Sequence, residues 1–204
     1  MKITWHGHSC FQIESADGSV ILDPYAPGSV PGWKLPELSA DLVLCSHTHA
    51  DHCCPEAIRL TGEKNRMHLR FFDCFHDAEQ GALRGTNRIT KIESEGFSVV
   101  HLGDLGHELT DDLVGALEGA DVLMLPVGGY YTIDAVQAKK LADQIRPRMI
   151  LPMHYRAGEF GYPVLAELDE FLALCEPSAV RHLDSPTVTV ESDRGTEVCI
   201  PAIP

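Results

Sequence analysis

His47-Thr48-His49-Ala50-Asp51-His52 is a run of six residues that contains three imidazoles and a carboxylate. It directly follows the apolar stretch at 41–46, which the pattern predicts to be a buried strand. Imidazole and carboxylate are the side chains that zinc and similar divalent cations prefer as ligands. Because the cluster closes a strand-like run instead of decorating a solvated face, it indicates a metal site and not a chance group of surface histidines.

Three more ligand-type residues obey the same positional rule, since each one comes directly after a strand-like run. In open α/β sheets, sites gather at the carboxyl ends of strands, so these side chains are expected to converge. The full set is large enough to hold two divalent metal ions. The seven candidate metal ligands are His47, His49, Asp51, His52, His76, Asp104 and His154.

The spacing suggests how the ligands divide between two ions. His47 and His49 are two residues apart and can point the same way from an extended segment. Asp51 and His52 are adjacent, so one of each pair can reach a second ion. Asp104 can bridge two cations and leave a position for water, as in catalytic sites. Zinc is the favoured ion, although the same donors also accept manganese, iron or nickel.

Length and composition narrow the class of protein. The chain has 204 residues, of which 44% are hydrophobic and 23% charged, and this favours one globular domain over residues 1–204. A formal net charge of −14 disfavours stable, sequence-independent binding to nucleic acids. The N-terminus has no hydrophobic signal core, and no stretch is long and apolar enough to cross a bilayer, so we expect a cytoplasmic protein without a membrane partner.

The seven cysteines are odd in number and irregularly spaced, which is typical of reduced thiols in a cytosolic protein. Cys53-Cys54 lies beside the histidine cluster and is the one pair that could be taken for ligands. We interpret it as a pair of thiols, because the neighbouring histidines and acids already fill a site.

Strand-like runs dominate both ends of the chain, and helical patterns are interleaved through the middle. This order predicts an α/β protein in which two sheets pack face to face with helices outside. A proline-rich loop over Pro24–Pro36 is a candidate flap, with Trp33 as its contact to the site. Other predicted elements are an Asp17-Gly18 hairpin turn, a helix over Glu56–Leu60, a helix over 111–118, a capping-box helix from Asp134 to Arg146 and a helix over 164–174.

Weaker candidates surround the ligand set. His8 and His107 could donate a proton to a leaving group or hydrogen-bond a metal ligand, although ordinary loop histidines would look the same. Arg84 and Asn87 are candidate contacts to an anionic group of the substrate, although a salt-bridged loop would also explain them. Gly128 and Gly129 could let the backbone approach the substrate closely, although a tight turn before a helix would also explain them. Tyr131 is a candidate for the wall of a cleft.

The sequence resembles the metallo-β-lactamase fold superfamily. Within it, the chain is similar to the small metal-dependent hydrolases related to bacterial L-ascorbate-6-phosphate lactonases. The resemblance covers essentially the whole chain. It is carried by the run 47–52, by the order of His76, Asp104 and His154, and by Trp5-His-Gly-His-Ser-Cys-Phe11, Leu83-Arg-Gly-Thr-Asn87, His101-Leu-Gly-Asp-Leu-Gly-His107 and Pro126-Val-Gly-Gly129.

The resemblance implies a four-layer αββα sandwich with the site at one edge of the two sheets. It also implies that the first metal is held by His47, His49 and His76, the second by Asp51, His52 and His154, and that Asp104 bridges them. Flavodiiron proteins have a glutamate at the position of His49, and common zinc β-lactamases have a cysteine at that of Asp104. Oxygen reduction and antibiotic hydrolysis are therefore disfavoured.

The sequence thus predicts a metal-dependent hydrolase in which a metal-bridging hydroxide, oriented by Asp51 or Asp104, attacks a lactone, ester or phosphodiester. The expected substrate is a small and anionic metabolite, and a homo-oligomer is compatible with the apolar residues of the 24–36 loop. Two alternatives stay open: a metal- or ligand-binding sensor without turnover, and a nucleic-acid-processing phosphodiesterase.

Overall fold

The structure, a computed structural model, describes residues 1–191 and 195–204. Its regular elements are mostly short strands. The strands are β1 (Lys2–Trp5), β2 (Phe11–Ser15), β3 (Gly18–Leu22), β4 (Leu38–Ala40), β5 (Leu42–Leu44), β6 (Ile58–Leu60), β7 (His68–Phe75), β8 (Thr86–Ser94), β9 (Phe97–His101), β10 (Val122–Pro126), β11 (Met149–Met153), β12 (Val180–His182), β13 (Thr187–Thr189) and β14 (Glu197–Ile200). The helices are α1 (Asp111–Leu117), α2 (Ala135–Ile145) and α3 (Leu168–Leu172), with 3-10 turns at Pro55–Ala57 and Pro177–Ala179.

Two sheets share one core. The five-stranded sheet has the order β13-β1-β2-β3-β5, the seven-stranded sheet has the order β12-β14-β11-β10-β9-β8-β7, and β4 pairs with β6 separately. A single cluster of buried apolar side chains contains residues of both large sheets. The α/β sandwich predicted from the sequence is therefore confirmed. Among the described residues, α-helices occur only after β9, so the first half of the chain contributes strands and loops to the layers.

The centre of the seven-stranded sheet fixes the edge at which the site forms. All side chains of β10 and β11 are buried, as expected for parallel strands covered on both faces. β9 runs parallel to β10, and β7 runs in the same direction because β8 is antiparallel to both β7 and β9. The carboxyl ends of β7, β9, β10 and β11 therefore lie at one edge of the sheet.

The first sheet opens with a hairpin that places its turn one residue earlier than predicted. Ser15 pairs with Gly18, so the two-residue turn is Ala16-Asp17 and Gly18 begins β3 with a φ of +132°.

Between the sheets, the Nε2–H of His101 donates to the Ser9 carbonyl at 3.0 Å, while its Nδ1 accepts from the Gly103 N–H at 3.1 Å. His101 is therefore a buried structural contact.

The predicted helix over Glu56–Leu60 is wrong. The chain makes a single 3-10 turn at Pro55–Ala57 and then enters β6, which pairs in parallel with β4. Cys54 supplies no side-chain hydrogen bond to the first turn, and Ile58 is buried opposite Leu38. Strand pairing therefore provides hydrogen-bond partners for the backbone N–H and C=O groups of this segment better than one uncapped helical turn does.

The helix predicted over 164–174 is also too long, because only α3 (Leu168–Leu172) is helical. The residues before it use their backbone groups elsewhere. The Ala166 N–H donates to the Gly128 carbonyl, and the Arg156 N–H donates to the Ala166 carbonyl, both at 2.9 Å. These long-range bonds replace the first helical turn.

The loop over Pro24–Pro36 has no helix or strand, as predicted, but Trp33 does not contact the site. Its indole is buried, packs edge-on against Trp5 with ring centroids 5.2 Å apart and lies 4.7 Å from the ring of Phe160. A Cβ at Gly7 would come within 2.4 Å of the Trp33 indole, so only glycine fits beneath it. Trp33 therefore anchors the loop to the core.

In the described part of the chain, no helix has the length and apolar character that a membrane span requires.

The capping box of α2 is present as predicted and gives a direct stability test. Asp134 accepts from the Gln137 N–H at 2.9 Å, and the Gln137 side chain accepts from the Asp134 N–H at 3.1 Å. We expect Asp134→Ala to lower the free energy of unfolding by about 1 kcal/mol in urea denaturation. Val136→Ala, an exposed change in the same turn, serves as the control and should cause no comparable loss. Equal stability of Asp134→Ala and the wild type would contradict the capping role.

Candidate metal centre

The Asp104 carboxylate is the centre of the candidate site. Asp104 is 1% exposed and follows β9 at the edge where β7 and β11 also end. Its Oδ1 lies 3.1 Å from Nε2 of His52, and its Oδ2 lies 3.2 Å from Nε2 of His76 and 3.1 Å from that of His154. Nε2 of His47 is 3.9 Å from the same oxygen. Four imidazoles from three segments therefore surround one carboxylate.

These short separations do not have hydrogen-bond geometry. Within the described residues, Nε2 of His47, His52 and His154 and Oδ1 of Asp104 are buried without a hydrogen-bond partner. A buried polar atom without a partner costs free energy, so such a group of atoms is not a stable end state by itself. The lone pairs converge on shared points between the residues, which is the arrangement of metal ligands. The donor set thus fits divalent metal ions.

The donors fall into three overlapping groups in which all ligand atoms lie within 4.8 Å of one another. The group formed by His47, His52 and Asp104 links the other two, because it shares His47 with one of them and His52 with the other. The groups are His47, His49 and His76; His47, His52 and Asp104; and His8, Asp51, His52 and His154. The structure therefore brings together all seven ligands predicted from the sequence, and it adds His8.

Asp23 orients two of the ligands from behind. The Nδ1–H of His52 donates to Asp23 Oδ2 at 2.6 Å, and the Ser46 hydroxyl donates to the same oxygen at 2.6 Å. Ser46 in turn accepts from Nδ1 of His47 at 2.9 Å. With Nδ1 protonated on both rings, Nε2 of His47 and of His52 is left as the lone pair that faces the site.

Burial and neighbouring charges set the protonation of the site. Burial lowers the pKa of His47 to about 3, and it also lowers the pKa of His49, so both imidazoles are neutral as metal ligands require. Burial alone would raise the pKa of Asp104, but His154 and His52 outweigh it and hold that pKa well below the usual value. For His52, burial would lower the pKa, but Asp104 and Asp23 outweigh it and raise that pKa well above its ordinary value, so a metal ion at Nε2 must displace the proton held there.

A small cleft opens onto the candidate ligands. It has a volume of about 250 Å³ and includes Arg84, Tyr131 and Tyr162 beside the ligands. The Arg84 guanidinium lies 5.4 Å from the centroid of the Tyr131 ring, and the rings of Tyr131 and Tyr162 are 5.9 Å apart. Arg84 and Tyr131, predicted from the sequence as substrate contacts, therefore both line this cleft. The other lining residues are His49, Asp51, His76 and Asp104.

The loop that carries Arg84 is folded around Asp77. This buried carboxylate accepts four backbone N–H bonds, including those of Leu83 at 3.1 Å and Arg84 at 2.7 Å. Burial would raise the pKa of Asp77, but the backbone donors outweigh it and lower that pKa. The ionised Asp77 thus holds the position from which Arg84 reaches the cleft.

Asn87 does not face a substrate. It is 1% exposed, its amide donates to the Leu102 carbonyl at 2.8 Å, and its Oδ1 accepts from the Asp104 N–H at 3.0 Å. The predicted substrate contact is therefore corrected: Asn87 positions the backbone of Asp104. A Cβ at Gly103 would come within 2.3 Å of the same Asn87 oxygen, so the packing here leaves no space for a side chain.

Three further sequence candidates lie away from the cleft. Both ring nitrogens of His107 bond to backbone, with Nε2 accepting from the Phe75 N–H at 3.1 Å, and the ring borders a separate cavity of about 150 Å³. Gly128 is required for packing, because a Cβ there would lie 2.1 Å from the His154 carbonyl oxygen. Gly128 and Gly129 line a neighbouring groove. None of the three touches the metal cleft.

Comparison with known proteins identifies the family. A family model described as a beta-lactamase superfamily domain matches residues 2–154. The chain belongs to the metallo-β-lactamase superfamily. This assignment agrees with the resemblance of the sequence, and the two-sheet sandwich with its ligands at one edge is the fold of that superfamily.

Two metallo-β-lactamase relatives and a solved structure cover most of the chain. A UPF0173 metal-dependent hydrolase of Thermoplasma acidophilum is 26% identical over 85% of this chain and 90% of the relative, and one of Nitratidesulfovibrio vulgaris strain DP4 is 28% identical over 97% and 98%. A crystal structure from Thermotoga maritima, described as a candidate zinc-dependent hydrolase of the superfamily, has a TM-score of 0.78 and 31% identity over 98% of this chain and 97% of that one. The chain is thus a metal-dependent hydrolase of the metallo-β-lactamase superfamily.

Sequence reasoning missed two residues of the site. Asp23 directly follows β3 and precedes Pro24, and the strand-end rule that found Asp104 could also have found its carboxylate. Tyr162 lies in a segment without periodicity, so no pattern pointed to it. Its hydroxyl donates to the Ser29 carbonyl at 2.8 Å, and this bond places its ring at the cleft.

The role of Asp23 can be tested by metal binding. Asp23→Asn keeps the shape of the side chain but removes the charge that accepts from His52 and Ser46. We expect a loss of roughly 10–100-fold in metal affinity, the range observed when such outer partners are changed. Chelator competition with elemental analysis measures it. Asp73→Asn, a change of an exposed carboxylate outside the site, is the control and should bind metal like the wild type. An unchanged affinity of Asp23→Asn would contradict the orienting role.

Proposed function

We propose that the protein is a dinuclear hydrolase that cleaves an ester, lactone or phosphodiester bond of a small anionic molecule, with zinc as the favoured metal. The observation that carries the proposal is the position of Asp104. Its carboxylate lies between the two outer donor groups: Oδ2 faces His76 of one group and His154 of the other, and Oδ1 faces His52, which belongs to the same group as His154. A carboxylate between two donor groups supports two ions that share a bridging ligand.

The chemistry divides between the ions and the chain. When bound, divalent metal ions polarise the substrate oxygen and lower the pKa of water, so that hydroxide is available near neutral pH. Asp51 is the residue of the chain that can accept a hydrogen bond from the attacking water and so orient it, because it lines the cleft and is partly exposed. Burial would raise its pKa, but His8 and His52 outweigh this and keep the carboxylate ionised.

The cleft supports a small anionic substrate. A volume of about 250 Å³ lies just below the usual range for ligand pockets, about 300–1,000 Å³. Arg84 is the one arginine or lysine among the lining residues and can pair with a carboxylate or phosphate. Tyr131 and Tyr162 offer aromatic faces beside it. With a net charge of −14, the protein is poorly suited to long polyanions, so a nucleic-acid partner is disfavoured.

Asp104→Asn tests the dinuclear hydrolase directly. We expect the wild type to bind two zinc ions and to hydrolyse at least one class of activated substrate, compared in parallel as an aryl ester, a lactone and an aryl phosphodiester. The amide cannot bridge two cations with two negative oxygens, so Asp104→Asn should lose both the second ion and most of its turnover. Asp73→Asn is the control for a carboxylate outside the site. Full turnover of Asp104→Asn, or a metal-loaded wild type inert to every class, would contradict the proposal.

Arg84→Gln tests the charge of the substrate. If Arg84 binds an anionic group, this change raises KM for an anionic substrate by roughly 10-fold or more and leaves a neutral substrate with the same scissile bond largely unaffected. Arg88→Gln is the matched control, because Arg88 pairs with Asp73 on the exposed side of β8. Equal effects of Arg84→Gln on neutral and anionic substrates would contradict an anion-binding role.

A further inference from the structure

His8 is a buried histidine that the metal-binding scheme inferred from the sequence does not use. It lies in the turn between β1 and β2 and is 1% exposed. Neither ring nitrogen has a hydrogen-bond partner among the described residues. A buried imidazole with two unpartnered nitrogens is costly, so its environment requires an explanation.

The ring of His8 lies among the donors Asp51, His52 and His154. Its Nε2 lies 3.4 Å from Oδ2 of Asp51, and its ring centroid is 4.3 Å from that of His154 and 5.1 Å from that of His52. One nitrogen of His8 and one donor atom from each of these three residues lie within 4.8 Å of one another. Ligands at about 2.0–2.2 Å in a tetrahedron around zinc are separated by roughly 3.3–3.6 Å, which matches the separation of His8 and Asp51.

His8 also shares the properties of a ligand that the sequence did predict. His154, like His8, is 1% exposed, has both ring nitrogens unpartnered in the described structure and has a left-handed backbone, with φ of +54° against +50°. Such a backbone is strained for a residue other than glycine and persists only where the surroundings fix it. For His8 they do, because the Trp5 indole donates to its carbonyl at 3.0 Å.

We propose that His8 is an additional metal ligand, which binds the second metal ion together with Asp51, His52 and His154. The inference rests on the proposed two-metal function. It gives that ion a set of four protein donors besides the shared Asp104, whereas the first ion has His47, His49 and His76. The second ion would then have one protein donor more than the first, so the first ion would be the more accessible one for water and substrate.

The experiment is a chelator competition with the full chain, stripped of metal and titrated with zinc. We expect wild type and His6→Gln to bind two zinc ions, and His8→Gln to bind the second ion at least roughly 10-fold more weakly, since loss of a ligand should exceed the smallest effect of outer partners. His6→Gln is the matched control, because His6 lies in the same turn and its ring bonds to Gln12 at 3.3 Å. A second-ion affinity of His8→Gln equal to wild type overturns the inference.

A measurement on the unchanged chain covers the case in which His8→Gln does not fold. In protein labelled with ¹⁵N-histidine, a ring nitrogen of His8 should shift to a metal-bound position as the second equivalent of zinc is added, and the His6 ring should not. An unmoved His8 ring, with two ions bound, overturns the inference and leaves a hydrogen-bonding or proton-donating role, while the proposed hydrolase stands. Binding of fewer than two ions by the wild type would instead refute the dinuclear function itself.

Discussion

The buried carboxylate of Asp104 is the constraint on which the arrangement of the site depends. A charge at 1% exposure is unfavourable unless opposite charges or hydrogen bonds compensate it, and here the groups within reach are imidazole nitrogens at 3.1–3.9 Å. Neutral imidazoles cannot compensate it fully, and protonated imidazoles would repel one another. Divalent cations would compensate the charge of the carboxylate and also bind the nitrogen lone pairs of the neutral imidazoles. The surrounding fold therefore serves to fix the positions of the side chains that would bind those cations.

These positions are fixed by close backbone packing rather than by regular elements. Ligands and supporting residues stand in turns with left-handed backbone, at φ of +50° for His8, +48° for Asp23 and +54° for His154. Glycines stand where these turns touch: a Cβ at Gly106 would lie 2.3 Å from the His76 backbone, as one at Gly128 would clash with His154. The buried strands of the core stabilise these turns at their ends. Strain and tight contacts are concentrated where donor atoms must converge.

The sequence was sufficient for the class of fold and for the convergence of the seven candidate donors, because both follow from local rules: strand-like runs and ligand-type residues at their ends. It was insufficient where long-range contacts decide. Asn87 looked like a substrate contact because it follows Arg84 in a polar loop, yet the register of β8 turns it under Asp104. The helix predicted over 164–174 lost its first turn to pairing with Gly128. Neither outcome is encoded in a short window of residues.

The exposure of the donors indicates from which side the chemistry proceeds. His49 is exposed and lines the cleft with Arg84 and Tyr131, whereas His52 and His154 lie at 0–1% exposure behind Asp104. A ligand at the cleft can move with its ion, while buried ligands are fixed by their packing. In the proposed hydrolase, substrate would therefore approach from the side of His49, with the buried side as a fixed support. An anionic group held by Arg84 would be positioned over the exposed half of the site, which couples recognition of charge to placement of the scissile bond.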